Sequence, residues 1–420
     1  MKTVDTYFPQ IADIYQAAKT IRQVADETPL QQSIRYSKKY GANILLKRED
    51  LHRVRSYKIR GAYNKISSLT QDELKRGVVC ASAGNHAQGV AFACSHLQVE
   101  GTIYMPVVTP KQKIDQTKMF GGEWVSVVLE GDTFDDSNKA AQAFCEGEGK
   151  TFVHPFDDEK IIEGQATVGL EILQQSNEPI DYVFAAVGGG GLAAGLCGTF
   201  QALSPQTKII GVEPEGAPSL KKSIEKGELV ELQHIDKFID GAAVQKVGQL
   251  TFPICKDHLY QVSTVPEGKV CQTILDLYNR DAIVVEPAGA LTIAVLDDYA
   301  EGIKGKNVVC IISGSNNDIT RTAEIKERAL LYANLKHYFI VRFPQRPGAL
   351  KEFVADILGP DDDITHFEYS KKSSRENAPA VVGIELKSSA DLEPLIQRMK
   401  ANNFFGDYLN DKPDLFQYLV

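Results

Sequence analysis

The 420-residue sequence has no apolar run long enough to span a bilayer, and its opening M-K-T-V-D-T-Y-F-P-Q lacks the apolar core of a secretory leader. The expectation is a cytoplasmic protein with no membrane partner. There is no excess of basic charge either. Lys and Arg number 46 against 55 Asp and Glu, which leaves a net charge of −9 and a pI of about 5.5. A nucleic-acid backbone calls for a basic patch, so nucleic acid is excluded as the main partner. The cysteines, Cys80, Cys94, Cys145, Cys197, Cys255, Cys271 and Cys310, are scattered and include no C-x-x-C pair. They read as buried free thiols in a reducing compartment, not as disulfides or a metal site. No close repeat and no long low-complexity segment occurs.

What is present is ordinary for a globular chain: 43% hydrophobic and 24% charged residues. The length suggests roughly two or three domains. Over the first 320 residues short apolar runs alternate with helical periodicity. Strands are expected at Gly77–Ala81, Thr102–Met105, Trp124–Val128, Tyr182–Val187, Lys208–Val212 and Asn307–Ile312, with Thr151–His154 extended. Helices are expected at Asn85–Leu97, Lys111–Phe120, Phe134–Cys145, Ile162–Gln174 and Leu192–Leu203. Strands that are apolar along their whole length are buried on both faces. With helices between them they imply parallel sheets in an α/β fold.

The rhythm then changes. Residues 321–336 are charged, helix-prone and read as a connector. Beyond it come a strand at Tyr338–Phe343, a helix at Gly348–Leu358 and strands at Ile364–Ser370 and Ala380–Lys387. A helix at Asp391–Ala401 and a strand at Phe404–Leu409 complete a β-α-β-β-α-β order. That order is ferredoxin-like. The expected division is 1–320, 321–336 and 337–420.

Four segments of the first part carry chemistry. Lys58 lies in R-S-Y-K-I-R-G-A-Y-N-K. To attack a carbonyl it must lose its proton, which takes burial or cationic neighbours, and Arg55, Arg60 and Lys65 are close in sequence. Taken alone, a lysine in such a stretch of a chain with 46 Lys and Arg reads as a surface residue. Ser82-Ala83-Gly84-Asn85-His86 follows a buried strand and opens a helix, whose N–H groups suit a carboxylate or phosphate. Taken alone, a plain turn capped by Ser82 or Asn85 is the slightly favoured reading, with His86 structural.

Gly188-Gly189-Gly190-Gly191-Leu192 also joins a strand to a helix. Tight packing explains one or two glycines there and explains four poorly, so a phosphate cradle is the favoured reading. No G-K-[ST] and no spaced dinucleotide fingerprint follows. Ser313, in S-G-S-N just past Asn307–Ile312, sits where parallel sheets collect ligands, though a helix cap would explain it equally. An amine, a phosphate cradle, a carboxylate cradle and a lone hydroxyl together suit a pyridoxal-phosphate (PLP) enzyme acting on an amino acid.

R-S-Y-K-I-R-G-A, A-S-A-G-N-H-A-Q-G-V-A, V-G-G-G-G-L, E-P-A-G-A and S-G-S-N occur in this order and together resemble the serine/threonine dehydratase family over most of residues 20–320. The resemblance implies the two-lobed tryptophan-synthase β-like PLP fold (fold type II). It implies Lys58 as the Schiff-base lysine and Asn85 as the partner of the pyridoxal hydroxyl. Gly188, Gly189, Gly190, Gly191 and Leu192 would hold the phosphate, and Ser313 would face the pyridine nitrogen. Ser82, Ala83, Gly84, Asn85 and His86 would bind the substrate carboxylate. Tyr57 stands where Phe is common. The family's serine racemases carry a serine at the position of Ala83, so a lyase is expected. Glu213, in E-P-E-G-A after a strand, falls near the cation site of related enzymes; a monovalent or divalent cation there is an expectation, with a solvated acidic turn as the alternative.

The C-terminal part and its F-P-Q-R-P-G-A-L (Phe343–Leu350) resemble ACT-like regulatory domains, with a packing or oligomerisation module as the alternative. Joined to the first part, this module resembles the biosynthetic branch of the family. That implies L-threonine as substrate, isoleucine as inhibitor with valine opposing it, and a homotetramer. A serine or 3-hydroxyaspartate ammonia-lyase of the same fold, or a non-catalytic amino-acid sensor, are the alternatives. Relative kcat/KM separates the first, and the presence of Lys58 speaks against the second.

Overall fold

The computed structural model describes residues 7–369 and 377–412, which fall into two compact units, Met1–Asp318 and Ile319–Val420. In the first unit the chain starts a large sheet with β1 (Leu30–Gln32) and β2 (Asn43–Arg48). It leaves to build a small sheet from β3 (Val78–Ala81), β4 (Gly101–Met105), β5 (Val125–Leu129) and β6 (Thr151–Phe152). It returns for β7 (Tyr182–Ala186), β8 (Lys208–Pro214), β9 (Gln261–Val265) and β10 (Asn307–Ile312). The small sheet has the order β5-β4-β3-β6 and is parallel throughout. The large sheet runs β1-β2-β10-β7-β8-β9 and is parallel except for β1, a short edge strand antiparallel to β2.

The expected α/β layering follows from burial. All of β3 and five of six residues of β10 are buried, and a parallel strand of that kind needs a helical crossover on each side. Each sheet has its own apolar core, one around Val183, Phe200 and Ile209, the other around Ile59, Val90 and Ile103. The helix Lys58–Ser67 packs on the helices Asn85–Leu97 and Glu159–Gln175, so its first residue is set by elements of both lobes.

Several elements escaped the periodicity. No strand was expected before Gly77, yet β1 and β2 are there; β1 is only three residues long, and β2 ends in Lys47-Arg48, which reads as solvated. Between residues 213 and 306 the structure adds β9 and the helices Ser219–Lys226, Thr251–His258, Glu267–Asp281 and Pro287–Ala294. All seven cysteines are free and buried. Among the described residues no helix is long and apolar enough to cross a membrane.

The second unit contains the helix Thr322–Tyr332, which occupies the stretch expected as a connector. It is followed by β11 (Lys336–Pro344), β12 (Asp363–Tyr369), β13 (Asn377–Glu385) and β14 (Phe405–Tyr408), an antiparallel sheet of order β12-β13-β11-β14. A helical segment Ala349–Glu352, continued by a wider turn over Phe353–Ile357, and the helix Leu392–Ala401 give the ferredoxin-like β-α-β-β-α-β order. Phe339, Phe353, Val382 and Leu395 form its core. Ser370, the expected end of β12, lies outside the described residues.

Candidate active site

One cavity of about 780 Å³ opens at the carboxyl ends of strands from both sheets of the first unit. Ser82 to Asn85 reach it after β3, Pro155 and Phe156 after β6, Gly188 to Gly191 after β7, and Asn316 after β10. This is where ligands gather in parallel α/β sheets. Lys58, Ser82, Ala83, Gly84, Asn85, His86 and the run Gly188–Leu192 all line it; the fourth segment, S-G-S-N, reaches it through Asn316 and not through Ser313.

Lys58 begins its helix, and its Nζ donates to the Pro155 carbonyl oxygen at 2.7 Å. Burial pushes its ammonium down to about 8, with the Glu286 carboxyl pulling the other way. At neutral pH about a tenth of such amines are unprotonated, against fewer than about one in a thousand for an ordinary lysine. The cationic neighbours offered by the sequence do not cause this. Arg60 turns into a buried cluster of carboxylates, and Lys65 pairs with Asp158 at 2.6 Å.

The Asn85–Leu97 helix starts without a side-chain cap; Gly84 is its N-cap. Ser82 Oγ accepts from the Gly84 N–H at 3.2 Å instead of capping the helix. Among the described residues the N–H groups of Ala83, Asn85 and His86 find no acceptor. A helix end left open toward a cavity is an anion site, so the carboxylate reading fits better than the capped turn. The His86 ring faces away: its Nε2 lies 2.8 Å from the Val153 carbonyl oxygen. Burial and the nearby Lys58 push the imidazole down to about 3, so at neutral pH it is uncharged and Nε2–H donates to that carbonyl. His86 therefore offers its backbone, not its ring.

The glycine run is held by its carbonyls. Gly189 O accepts from Thr251 Oγ1 at 2.6 Å and from the Gly248 N–H at 3.2 Å, and Gly190 O accepts from Ala194 N–H at 2.8 Å. The N–H groups of Gly188, Gly189, Gly190 and Gly191 have no acceptor among the described residues. Gly190 has φ of 90°, which favours glycine. At Gly189 a Cβ would lie 2.2 Å from the Phe156 ring. Four unspent amides beside an amine of lowered basicity fit the phosphate and aldehyde ends of PLP, with the open helix end left for a carboxylate. Gly189→Ala should weaken PLP binding to the apoprotein by at least about tenfold, roughly 1.4 kcal/mol. Adding Phe156→Ala should restore part of it. Equilibrium dialysis of the two variants checks this, and unaltered affinity in Gly189→Ala would remove the packing argument.

Two predicted residues sit apart. Ser313 is 2% exposed, follows β10 directly and accepts the Tyr57 N–H at its carbonyl at 3.2 Å, but it is not among the residues lining the cavity. Glu213 is not the solvated acidic turn of the alternative reading. It is fully buried, and its two oxygens accept the N–H groups of Leu220 at 2.7 Å and Lys221 at 2.9 Å in the helix Ser219–Lys226. Its carboxylate is occupied by a helix start. Among the described residues no group of three or more His, Cys, Asp or Glu is arranged to hold a metal ion.

Other groups at the site were not assigned roles from sequence. Pro155 and Phe156 follow β6 in H-P-F-D-D, a stretch with no glycine signal to mark it. Glu286 and Asn316 were visible only as letters of E-P-A-G-A and S-G-S-N. Lys113 and Asp240, both on the cavity wall, pair at 2.6 Å.

Residues 21–314 match the family of pyridoxal-phosphate dependent enzymes, and residues 327–419 match the C-terminal regulatory domain of threonine dehydratase. The chain is 54% identical over 411 residues to the L-threonine dehydratase biosynthetic IlvA of Halalkalibacterium halodurans, covering 98% of this chain and 99% of that one. It is 52% identical to the same-named protein of Bacillus subtilis, over 98% of this chain and 97% of that one. Among solved structures it is similar to the processed form of threonine deaminase isoform 2 from Solanum lycopersicum, with 40% identity and a TM-score of 0.72 over 78% of this chain and 99% of that one. A serine racemase from Dictyostelium discoideum is also similar, at 31% identity and a TM-score of 0.69 over 74% of this chain and 99% of that one.

Proposed function

The chain belongs to the pyridoxal-phosphate dependent enzymes and carries a threonine dehydratase regulatory domain, and from that membership we propose that it converts L-threonine to 2-oxobutanoate and ammonia, the first step of isoleucine biosynthesis in the cytoplasm. The observation that carries the reading is the Lys58 amine standing in one cavity with two separate sets of unspent backbone N–H groups. One set suits the cofactor phosphate and the other the carboxylate of an amino acid.

When bound, PLP supplies an aldehyde for the amines and a conjugated ring that accepts the electrons released at Cα. Lys58 would hold the cofactor through its Nζ and give way to the substrate amine. The Lys58 Nζ, with basicity lowered by burial, would take the Cα proton as general base. The Asn85–Leu97 helix end would hold the substrate carboxylate, and the N–H groups of Gly188 to Leu192 would hold the cofactor phosphate. Asn85 would donate to the ring oxygen. Ser313 follows β10 and is outside the cavity lining; were its hydroxyl to face the pyridine nitrogen, as the family resemblance implies, its neutrality would favour loss of the β-hydroxyl over transamination. Net, the β-hydroxyl leaves as water, and one water is taken up when the amine nitrogen leaves as ammonia. Ala83 has no hydroxyl with which to reprotonate Cα from the opposite face, which supports a lyase over a racemase.

Comparing kcat/KM for threonine, serine and 3-hydroxyaspartate tests the substrate. A preference for serine or hydroxyaspartate, or appreciable D-serine formation, sinks the threonine reading. The regulatory module supports isoleucine as inhibitor and valine as its antagonist, acting on a homotetramer through different affinities in two states. Truncation after Asp318, which removes the whole second unit, is expected to leave turnover and abolish inhibition by isoleucine. Inhibition that survives the truncation would put the effector site in the first unit.

A further inference from the structure

Glu286, Asn85 and Asn316 form a hydrogen-bonded chain inside the cavity that the chemistry above does not account for. The Asn85 amide is fixed at both ends. Its Oδ1 accepts from Asn316 Nδ2 at 2.6 Å, and its Nδ2 donates to the Glu286 carboxyl oxygens at 2.7 and 2.9 Å. Asn316 Nδ2 also donates to the Val54 carbonyl oxygen at 2.9 Å, which ties it to the turn before Lys58. The Glu286 N–H donates to Gly314 O at 3.1 Å, and Pro287 starts the next helix, so the carboxyl is anchored at its own backbone.

An ionised carboxylate only accepts, and an amide N–H only donates. A flipped Asn85 amide would set oxygen against oxygen at Glu286 and nitrogen against nitrogen at Asn316. The orientation is therefore specified twice. Seen from Asn85 Nδ2, both carboxyl oxygens lie on the same side, so one amide hydrogen serves both. The second has no acceptor among the described residues, and Asn85 lines the cavity.

We propose that Glu286 is a positioning residue: by fixing the Asn85 amide it presents one N–H to the ring oxygen of the cofactor, so that cofactor binding depends on Glu286 through Asn85. This rests on the reading of the cavity as a PLP site. Glu286 is 5% exposed, and burial pushes its carboxyl up to about 7 while the Asn85 bond pulls it down. Asp240 raises it and Lys113 lowers it; Lys58 and Tyr57 face it from the start of the Lys58 helix. Protonation makes one oxygen a donor facing a donor. The hold on Asn85, and with it cofactor affinity, falls as pH drops through about 7.

The test is equilibrium dialysis of PLP against four apoproteins: wild type, Glu286→Gln, Asn85→Ala and the double variant. Glu286→Gln should weaken binding about tenfold at about pH 8 when Asn85 is present, and less than about twofold when it is alanine. Between about pH 8 and pH 6 the wild type should lose more affinity than Glu286→Gln. If Asn85→Ala binds too weakly to measure, Asn85→Ser takes its place in the cycle. An equal factor in both backgrounds, or no weakening, overturns the proposal while leaving the PLP reading intact. A wild type that takes up no PLP overturns both.

Discussion

Lys58→Ala should lower threonine turnover by at least about four orders of magnitude, about 5.5 kcal/mol of barrier, because it removes both the covalent anchor and the general base. Lys58→Arg should lose about as much. A guanidinium keeps the positive charge but does not give up its proton in the pH range of the assay, so the pair of variants separates the base from the charge. Neither should lose PLP altogether, since the N–H groups of Gly188 to Gly191 do not depend on the side chain of residue 58. Borohydride reduction of the wild-type holoprotein followed by peptide mapping should label Lys58 and no other lysine. The apoprotein of Lys58→Ala is expected to melt no lower than the wild type, because the fold now desolvates an ammonium there. A labelled peptide lacking residue 58, or a Lys58→Ala enzyme within about tenfold of wild-type kcat, would end the assignment.

The parts of this site that the sequence displayed are those whose chemistry is local. A run of four glycines, a strand-to-helix S-A-G-N-H turn and a lysine ahead of R-G-A can be read because each does its work through its own backbone or its own side chain. Fully apolar strands such as β3 and β10 were legible for the same reason: burial on both faces leaves a continuous signal. What stayed hidden depends on partners distant in sequence. Glu286 takes its role from Asn85, 201 residues away, and nothing near E-P-A-G-A announces that. Pro155 matters through a carbonyl oxygen, which every residue has. Basic residues beside Lys58 suggested charge repulsion as the cause of its lowered basicity. The structure assigns that to burial, since Arg60 is neutralised by carboxylates that periodicity could not bring near.

Those carboxylates lead to the second large effect. Arg60, two residues past Lys58, is fully buried and bonded on every side. Its Nε and Nη2 donate to the two oxygens of Glu49 at 2.7 and 2.8 Å, and Nη1 and Nη2 donate to those of Glu171 at 2.6 and 2.8 Å. Nη1 also reaches Thr167 Oγ1 at 3.1 Å. Lys47, equally buried, donates to Glu171 at 2.6 Å, and His52 Nε2 stands 2.9 Å from Glu49. The cluster ties the Lys58 helix to β2 and to the helix Glu159–Gln175. Replacing such a network whole by apolar residues can be neutral, but breaking it leaves a charge buried without its partner, at about 3–5 kcal/mol. Against a typical stability of roughly 5–15 kcal/mol, Arg60→Leu should lower the melting temperature of the first unit sharply.

The pH dependence separates charge from packing. In the wild type, burial pushes Glu49 up, but Arg60 and His52 outweigh it and hold the carboxyl well below the usual range. Its contribution to stability is therefore present above the unfolded carboxylate pKa of about 4.3 and is lost as pH falls below that. With Arg60 gone, only His52 is left of the two groups that offset burial, so the Glu49 carboxyl rises from its wild-type position. The variant's penalty is then full near neutrality and shrinks as pH falls through the raised value, where the carboxyl takes up its proton. Urea unfolding of Arg60→Leu and wild type at about pH 7.5 and pH 5 measures the difference. A gap that is constant across that range would mean lost packing, and the network would hold the Lys58 helix by shape and not by charge.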